Sequence, residues 1–208
     1  MNTYLNFEKE INFNKLNQCA KIIKKGGLVI FPTETVYGIG TNGFNENSIR
    51  KIYKIKQRPI NKPISLLVNS IDMINIVAQD ITDIEYKIIK AFFPGPLTLV
   101  LKKKKCVPDI LTSNTNTVGI RIPDNKIALK LIEYANVPIA TTSANISGKS
   151  SGTLLKELQK NFKDKVDLFI DSGKSKIGIG STVVQVINGV PVILRQGIIT
   201  KKEIEKII

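Results

Sequence analysis

Lys56 and Arg58 stand one residue apart, directly before Pro59. Two cations at that spacing suit an anionic ligand. Pro59 disfavours helical geometry in the residue before it, so the pair sits where a helix must give way to a loop. In the last third of the chain, Ser143-Ala144-Asn145 offers hydroxyl and amide groups on an expected loop. Together the two pieces suggest a site that grips phosphates and a small polar molecule, built from distant parts of one domain. Six segments turn polar where regular structure passes into loop: 32–38, 56–63, 117–121, 141–151, 180–182 and 194–197. Arg121 interrupts the otherwise apolar run Val118 to Ile122. Its side chain must leave the core or pair with an anion. Beside the other five segments, we read it as an anion-binding group.

Composition narrows the chemistry. Among 208 residues there is no histidine, which excludes Ser-His-Asp and Cys-His nucleophile systems. Two cysteines, Cys19 and Cys106, lack motif spacing and read as ordinary thiols in a reducing compartment rather than as a disulfide or a zinc site. An enzyme with this composition must work by positioning, by cationic stabilisation, or with lysine, carboxylate or an oxygen-ligated metal such as Mg²⁺. The net charge of +14 favours anionic partners, nucleotides or RNA, yet a Lys-, Asn- and Ile-rich chain also accumulates lysine as neutral surface drift. Lys102 to Lys105 reads as a solvated strand end. Neither a secretory signal nor an apolar run of membrane-spanning length is visible, so the expected location is cytoplasmic.

The elements that must position these groups follow from periodicity and punctuation. Asn14 is the expected cap of a first helix carrying Leu16, Cys19, Ala20 and Ile23, ended by Gly26-Gly27. Residues 28–31 read as a buried strand, 33–45 as a loop, and Ile49, Ile52 and Tyr53 as one face of a second helix. Strands are expected at 64–68, 97–101, 117–122 and 138–141. Helices are expected at 83–92, from Asn125 to Ala135, and at 154–161. A hairpin turns at Asn188-Gly189, and a short helix closes the chain at 201–207. Strands alternating with helices and a late hairpin predict a single α/β domain over 1–208 with a mixed sheet.

Two glycine patterns mislead. Gly38-Ile39-Gly40-Thr41-Asn42-Gly43 has the G-x-G-x-x-G form, but residues 32–37 separate it from the preceding strand, and no acidic residue follows at the required distance of ~20 positions. The pattern reads instead as a tight turn in a ligand-facing loop. Gly148-Lys149-Ser150 and Gly173-Lys174-Ser175 lack the first glycine of a phosphate loop, so any ATP must be held by side chains from several elements.

The segments 32–40 (PTETVYGIG), 54–63 (KIKQRPINKP), 94–101 (PGPLTLVL), 117–123 (TVGIRIP), 141–148 (TTSANISG), 181–184 (STVV) and 194–197 (LRQG) occur in the order seen in the YrdC/Sua5 family. The chain resembles that family from about residue 16 to about residue 200, in the short form without an extra C-terminal domain. The resemblance implies a twisted mixed sheet with flanking helices and an open, positively charged cavity. It implies synthesis of threonylcarbamoyl-AMP and pyrophosphate from L-threonine, bicarbonate or CO₂, and ATP, with Mg²⁺. The product supplies the t6A modification of tRNA, so the implied partners are these substrates, tRNA or other RNA, and downstream threonylcarbamoyl-transferase proteins. By resemblance, Lys56, Arg58, Ser143 and Asn145 form the signature quartet. Arg58, Lys62, Thr117, Ser143, Ser151 and Arg195 match ATP-contacting positions, and Thr35, Arg121, Thr141 and Ser181 match positions around threonine. Two residues depart from the common pattern: Leu67 stands where long-form members often carry a histidine, and Gly180 where relatives often have an acid or proline. The alternative class is an RNA-binding translation or ribosome-maturation factor of the same fold without synthetase activity.

Overall fold

The computed structural model describes residues 3–148 and 152–208. Ten strands and seven helices alternate along these residues. The strands are β1 (Thr3–Asn6), β2 (Val29–Phe31), β3 (Gly38–Asn42), β4 (Ser65–Leu67), β5 (Leu97–Lys102), β6 (Thr117–Arg121), β7 (Ile139–Ser143), β8 (Leu168–Asp171), β9 (Thr182–Ile187) and β10 (Val190–Arg195). The helices are α1 (Phe13–Lys24), α2 (Glu46–Lys56), α3 (Ile71–Val77), α4 (Asp83–Phe92), α5 (Lys126–Ala135), α6 (Leu155–Phe162) and α7 (Lys201–Glu205). All strands join one mixed sheet in the order β1-β8-β2-β3-β7-β4-β6-β5-β9-β10, as the α/β reading expects. No helix among the described residues is long and apolar enough to cross a membrane.

Local chemistry explains most boundaries. Asn12, not Asn14, caps α1, its side chain accepting from the Lys15 amide. The earlier position lets the helix start two residues sooner, and Leu16, Cys19, Ala20 and Ile23 form its buried stripe against the sheet and α5. Full burial of side chains such as Leu16 and Ile23 contributes roughly 1.5–3 kcal/mol each. Asn45 caps α2, and Gln57 ends it in the left-handed conformation at φ 52°, which turns the chain sharply into Arg58-Pro59. Thr82 and Glu85 form a reciprocal capping box at the start of α4.

The glycine pattern at 38–43 is a strand over most of its length rather than a turn, although Gly38 does border the large cavity. Gly38 and Gly40 lie within β3, paired antiparallel to both β2 and β7. A Cβ on Gly38 would stand 2.8 Å from Thr141 Cγ2, and one on Gly40 2.7 Å from Ile139 Cγ2. These glycines exist for close packing across the sheet, and β3 escaped the sequence reading because glycine-rich strands carry little alternation.

Candidate active site

A cavity of about 610 Å³ opens over one face of the sheet. Strand alternation builds its floor. Ser65 and Leu67 of β4, Thr117, Gly119 and Arg121 of β6, Thr98 and Val100 of β5, and Val183 and Gln185 of β9 all line it. The intervening residues Leu66, Val118, Ile120, Leu97, Leu99, Thr182 and Val184 are buried on the opposite face. The site therefore lies across the strands rather than beyond their carboxyl ends, where open parallel sheets place ligands. The physical reason is the mixed sheet: antiparallel neighbours such as β5 and β6 leave no common carboxyl edge. Gly119 keeps the floor open, since a Cβ there would approach Ser65 Oγ to 3.0 Å.

Of the expected site residues, Thr35, Arg58, Lys62, Thr117, Arg121, Thr141, Ser143, Ser181 and Arg195 line this cavity. Lys56 and Asn145 do not; they are buried behind it. Ser151 lies outside the described residues. Among the described residues, four cations, Arg58, Lys62, Arg121 and Arg195, line the space and no carboxylate does. Leu67 and Gly180, the two departures, both sit in the wall.

Arg121 is buried and does pair with an anion, but with one from its own chain: Glu34 Oε1 lies 2.5 Å from Arg121 Nη2. Arg121 Nε donates to the Gly95 carbonyl at 3.0 Å, and Nη1 to Thr35 Oγ1 at 3.0 Å. Thr35 is held in turn by Thr33 Oγ1 at 2.9 Å. The loop carrying these residues is clamped from above. The Ile177 and Gly178 amides donate to the Glu34 and Thr35 carbonyls, while the Tyr37 hydroxyl donates to the Gly173 carbonyl at 2.7 Å. Burial of Tyr37 raises its hydroxyl pKa well above the ordinary value.

Lys56 was expected to grip phosphate beside Arg58. Instead its ammonium points into the 143–145 loop. It donates to the carbonyls of Ser143 and Asn145, both at 2.5 Å, and to Asn145 Oδ1 at 3.3 Å. Ser143 Oγ donates to the same Asn145 Oδ1 at 2.5 Å. A side chain only 1 % exposed, with three acceptors around it, is a strut that fixes the loop. Burial first, then the Arg58 charge, pushes the Lys56 ammonium down to about 7.

Arg58 folds back over its own loop, Nε donating to the Lys62 carbonyl at 3.0 Å and Nη2 to the Pro63 carbonyl at 2.8 Å. Arg195 Nη2 donates to the Ser181 carbonyl at 2.7 Å, and Ser181 Oγ shares a 2.7 Å hydrogen bond with Thr98 Oγ1. Arg195 is held below its usual range by burial and then by the charges of Arg121 and Arg58 across the space. Arg58, Lys62 and Arg195, which have no ion-paired carboxylate among the described residues, form a preset receptor for a polyanion.

Sequence reasoning missed Glu34, Thr98 and Ser65. Thr98 carried the same signal as Arg121, a polar residue inside the apolar run 97–101. Glu34 carried none, because its partner is 87 positions away in the chain. The lysine run is tied down as a strand end: Lys102 pairs with Asp80, Lys103 with Asp109, and Lys104 donates to the Asn75 carbonyl. Cys19 and Cys106 are both free thiols, one buried and one exposed.

The Sua5_yciO_yrdC family model, described as telomere recombination, matches residues 21–197. A threonylcarbamoyl-AMP synthase of Pyrococcus abyssi is 41% identical over 208 residues, which are 100% of this chain and 61% of that relative. A putative threonylcarbamoyl-AMP synthase of Methanocaldococcus jannaschii is 42% identical over 194 residues, 91% of each chain. The crystal structure of P. abyssi Sua5 complexed with L-threonine matches the fold with a TM-score of 0.95 at 41% identity, over 99% of this chain and 60% of that one. The family model spans most of the chain, and the M. jannaschii relative matches along nearly its whole length, so the chain belongs to the Sua5/YciO/YrdC family.

Proposed function

We propose that this chain makes L-threonylcarbamoyladenylate and pyrophosphate from L-threonine, bicarbonate or CO₂, and ATP, for the t6A modification of tRNA. The observation that carries the reading is one cavity lined both by Arg121, Thr35, Thr141 and Ser181 and by the cations Arg58, Lys62 and Arg195. The names of the P. abyssi and M. jannaschii relatives, and the L-threonine bound by the former, support the assignment of substrates.

The chemistry asks little of the protein beyond placement. The threonine amine adds to CO₂ and loses a proton, giving a carbamate. A carbamate oxygen then forms a bond to the α-phosphorus of ATP as the bond to pyrophosphate breaks. Two anions must meet, and neutralising their repulsion while holding them in line is work for fixed cations. In this reading, Arg121 receives the threonine carboxylate, with Thr35, Thr141 and Ser181 around it. Arg58, Lys62 and Arg195 take the phosphates, with Thr117 and Ser143 as hydroxyl partners. Lys56 and Asn145 touch no substrate and keep Ser143 in place. Ser151 is carried as a nucleotide contact by resemblance alone.

No cluster of three or more His, Cys, Asp or Glu side chains able to hold a metal ion occurs among the described residues. The cavity wall offers hydroxyls and cations instead, so Mg²⁺ fits as part of the ATP substrate, held by the phosphates, rather than as a resident ion.

The test is thermal stability with L-threonine, with a non-hydrolysable ATP analogue, and with both. The reading predicts a joint shift larger than either ligand produces alone, because both occupy one cavity. Salt-sensitive RNA binding by a chain that responds to neither ligand would favour the RNA-factor reading instead.

A further inference from the structure

We propose that Glu34 is a positioning residue that, through Arg121, reserves one corner of the cavity for a monocarboxylate and keeps phosphates out of it; the inference rests on the assignment of that corner to the amino acid. Four cations line the cavity, and Arg121 alone of them forms an ion pair with a carboxylate among the described residues. Thr33 and Thr35 face the cavity, but Glu34 between them does not. It faces a separate depression of about 420 Å³ on the other side, beside Glu8 and Asp124. The carboxylate thus backs the guanidinium from outside the substrate space, where it meets Arg121 and no ligand.

This placement has two consequences. One is geometric. A guanidinium has five N–H donors. Gly95 takes the one on Nε and Thr35 one on Nη1, while Nη2, itself fully buried, is turned against Glu34. One N–H on Nη1 then remains for a carboxylate in the cavity, and the fixed guanidinium plane aims it there. The other consequence is electrostatic. Arg121 with Glu34 is a neutral pair, whereas Arg58, Lys62 and Arg195 are uncompensated. A pyrophosphate or triphosphate gains most from net positive charge and goes to the uncompensated arm. A zwitterionic amino acid loses little by entering a neutral corner and gains the directed hydrogen bond from Nη1. One Glu therefore sorts two anionic substrates that share a cavity.

The experiment is calorimetric titration of the whole chain with L-threonine and, separately, with inorganic pyrophosphate. In Glu34→Gln we expect threonine affinity to fall about 10–100-fold. We also expect pyrophosphate to gain a second site and to compete with threonine, which it does not do in the wild-type chain. Glu34→Asp keeps the charge and should restore single-site pyrophosphate binding. On an Arg121→Gln background, Glu34→Gln should change nothing further, since the residue acts only through Arg121. A variant that merely misfolds loses pyrophosphate binding rather than gaining a site, and that outcome overturns the proposal. So does a Glu34→Gln variant with unchanged threonine affinity and unchanged pyrophosphate stoichiometry. A wild-type chain that binds no threonine overturns the proposed function instead. The pyrophosphate stoichiometry still decides the role of Glu34 in that case.

Discussion

Replacing Lys56 with methionine separates the strut's cost from its use. The ammonium is 1 % exposed, and its fall from 10.5 to about 7 corresponds to roughly 5 kcal/mol acting against the charged form. Methionine fills a similar volume and removes that penalty. It also removes the hydrogen bonds that the ammonium gives the Ser143 and Asn145 carbonyls, at about 1.5–3 kcal/mol each. The two effects nearly cancel near neutral pH, so Lys56→Met should change stability there by no more than about 2 kcal/mol. The pH dependence does not cancel. Lys56 has a folded pKa below its unfolded one, so between about 7 and 10.5 the unfolded chain binds more protons. Its contribution is fully present above the unfolded value and is lost as pH falls through the folded value. Relative to Lys56→Met, the wild-type chain should gain up to about 1.4 kcal/mol of stability per pH unit across that window. Denaturant unfolding of both proteins over the window reads this directly. Parallel curves would refute the reasoning and mean that the three acceptors hold the ammonium charged despite its burial.

Three further outcomes follow from single contacts. Arg58→Ala should lower kcat/KM for ATP by the equivalent of about 2–4 kcal/mol while leaving the KM for threonine nearly unchanged; equal losses for both substrates would contradict the division of the cavity. Gly197→Ala places a Cβ 2.4 Å from the Gly180 carbonyl oxygen and the Thr182 amide nitrogen, backbone atoms that have little freedom to yield. It should destabilise the chain by about 1–3 kcal/mol, seen as a lower denaturation midpoint, and displace Ser181 from the cavity rim. Tyr37→Phe removes the hydroxyl that donates to Gly173 and accepts from the Ser172 amide, and should cost about 1–3 kcal/mol in denaturant unfolding.

Much of this architecture was legible before any coordinates. Strong alternation or capping announced α2, α4, α5, β5, β6 and the β9–β10 hairpin. β1, β3, β8 and α3 escaped because they are short or glycine-rich, and their strand pairing comes from distant neighbours rather than from their own pattern. The site divides in the same way. Residues that break a local rule, such as Arg121 inside an apolar strand, stood out as cavity candidates, and Arg121 does line the cavity. Lys56 and Glu34 take their roles from partners 87 or more positions away, and nothing in their immediate sequence says whether a charge faces a ligand or another residue. The motif located Lys56 without showing its partners: the ammonium beside Arg58 donates to the 143–145 loop.

The central claim is that one cavity joins a carbamate made from threonine to the α-phosphorus of ATP. The most direct measurement supplies ¹³C-bicarbonate with L-threonine, ATP and Mg²⁺, and follows the products by mass spectrometry. The account predicts a labelled threonylcarbamoyl-adenylate formed in equal amount with pyrophosphate, and none when threonine is omitted. Release of ADP and phosphate, or of pyrophosphate without label in the adenylate, would contradict it.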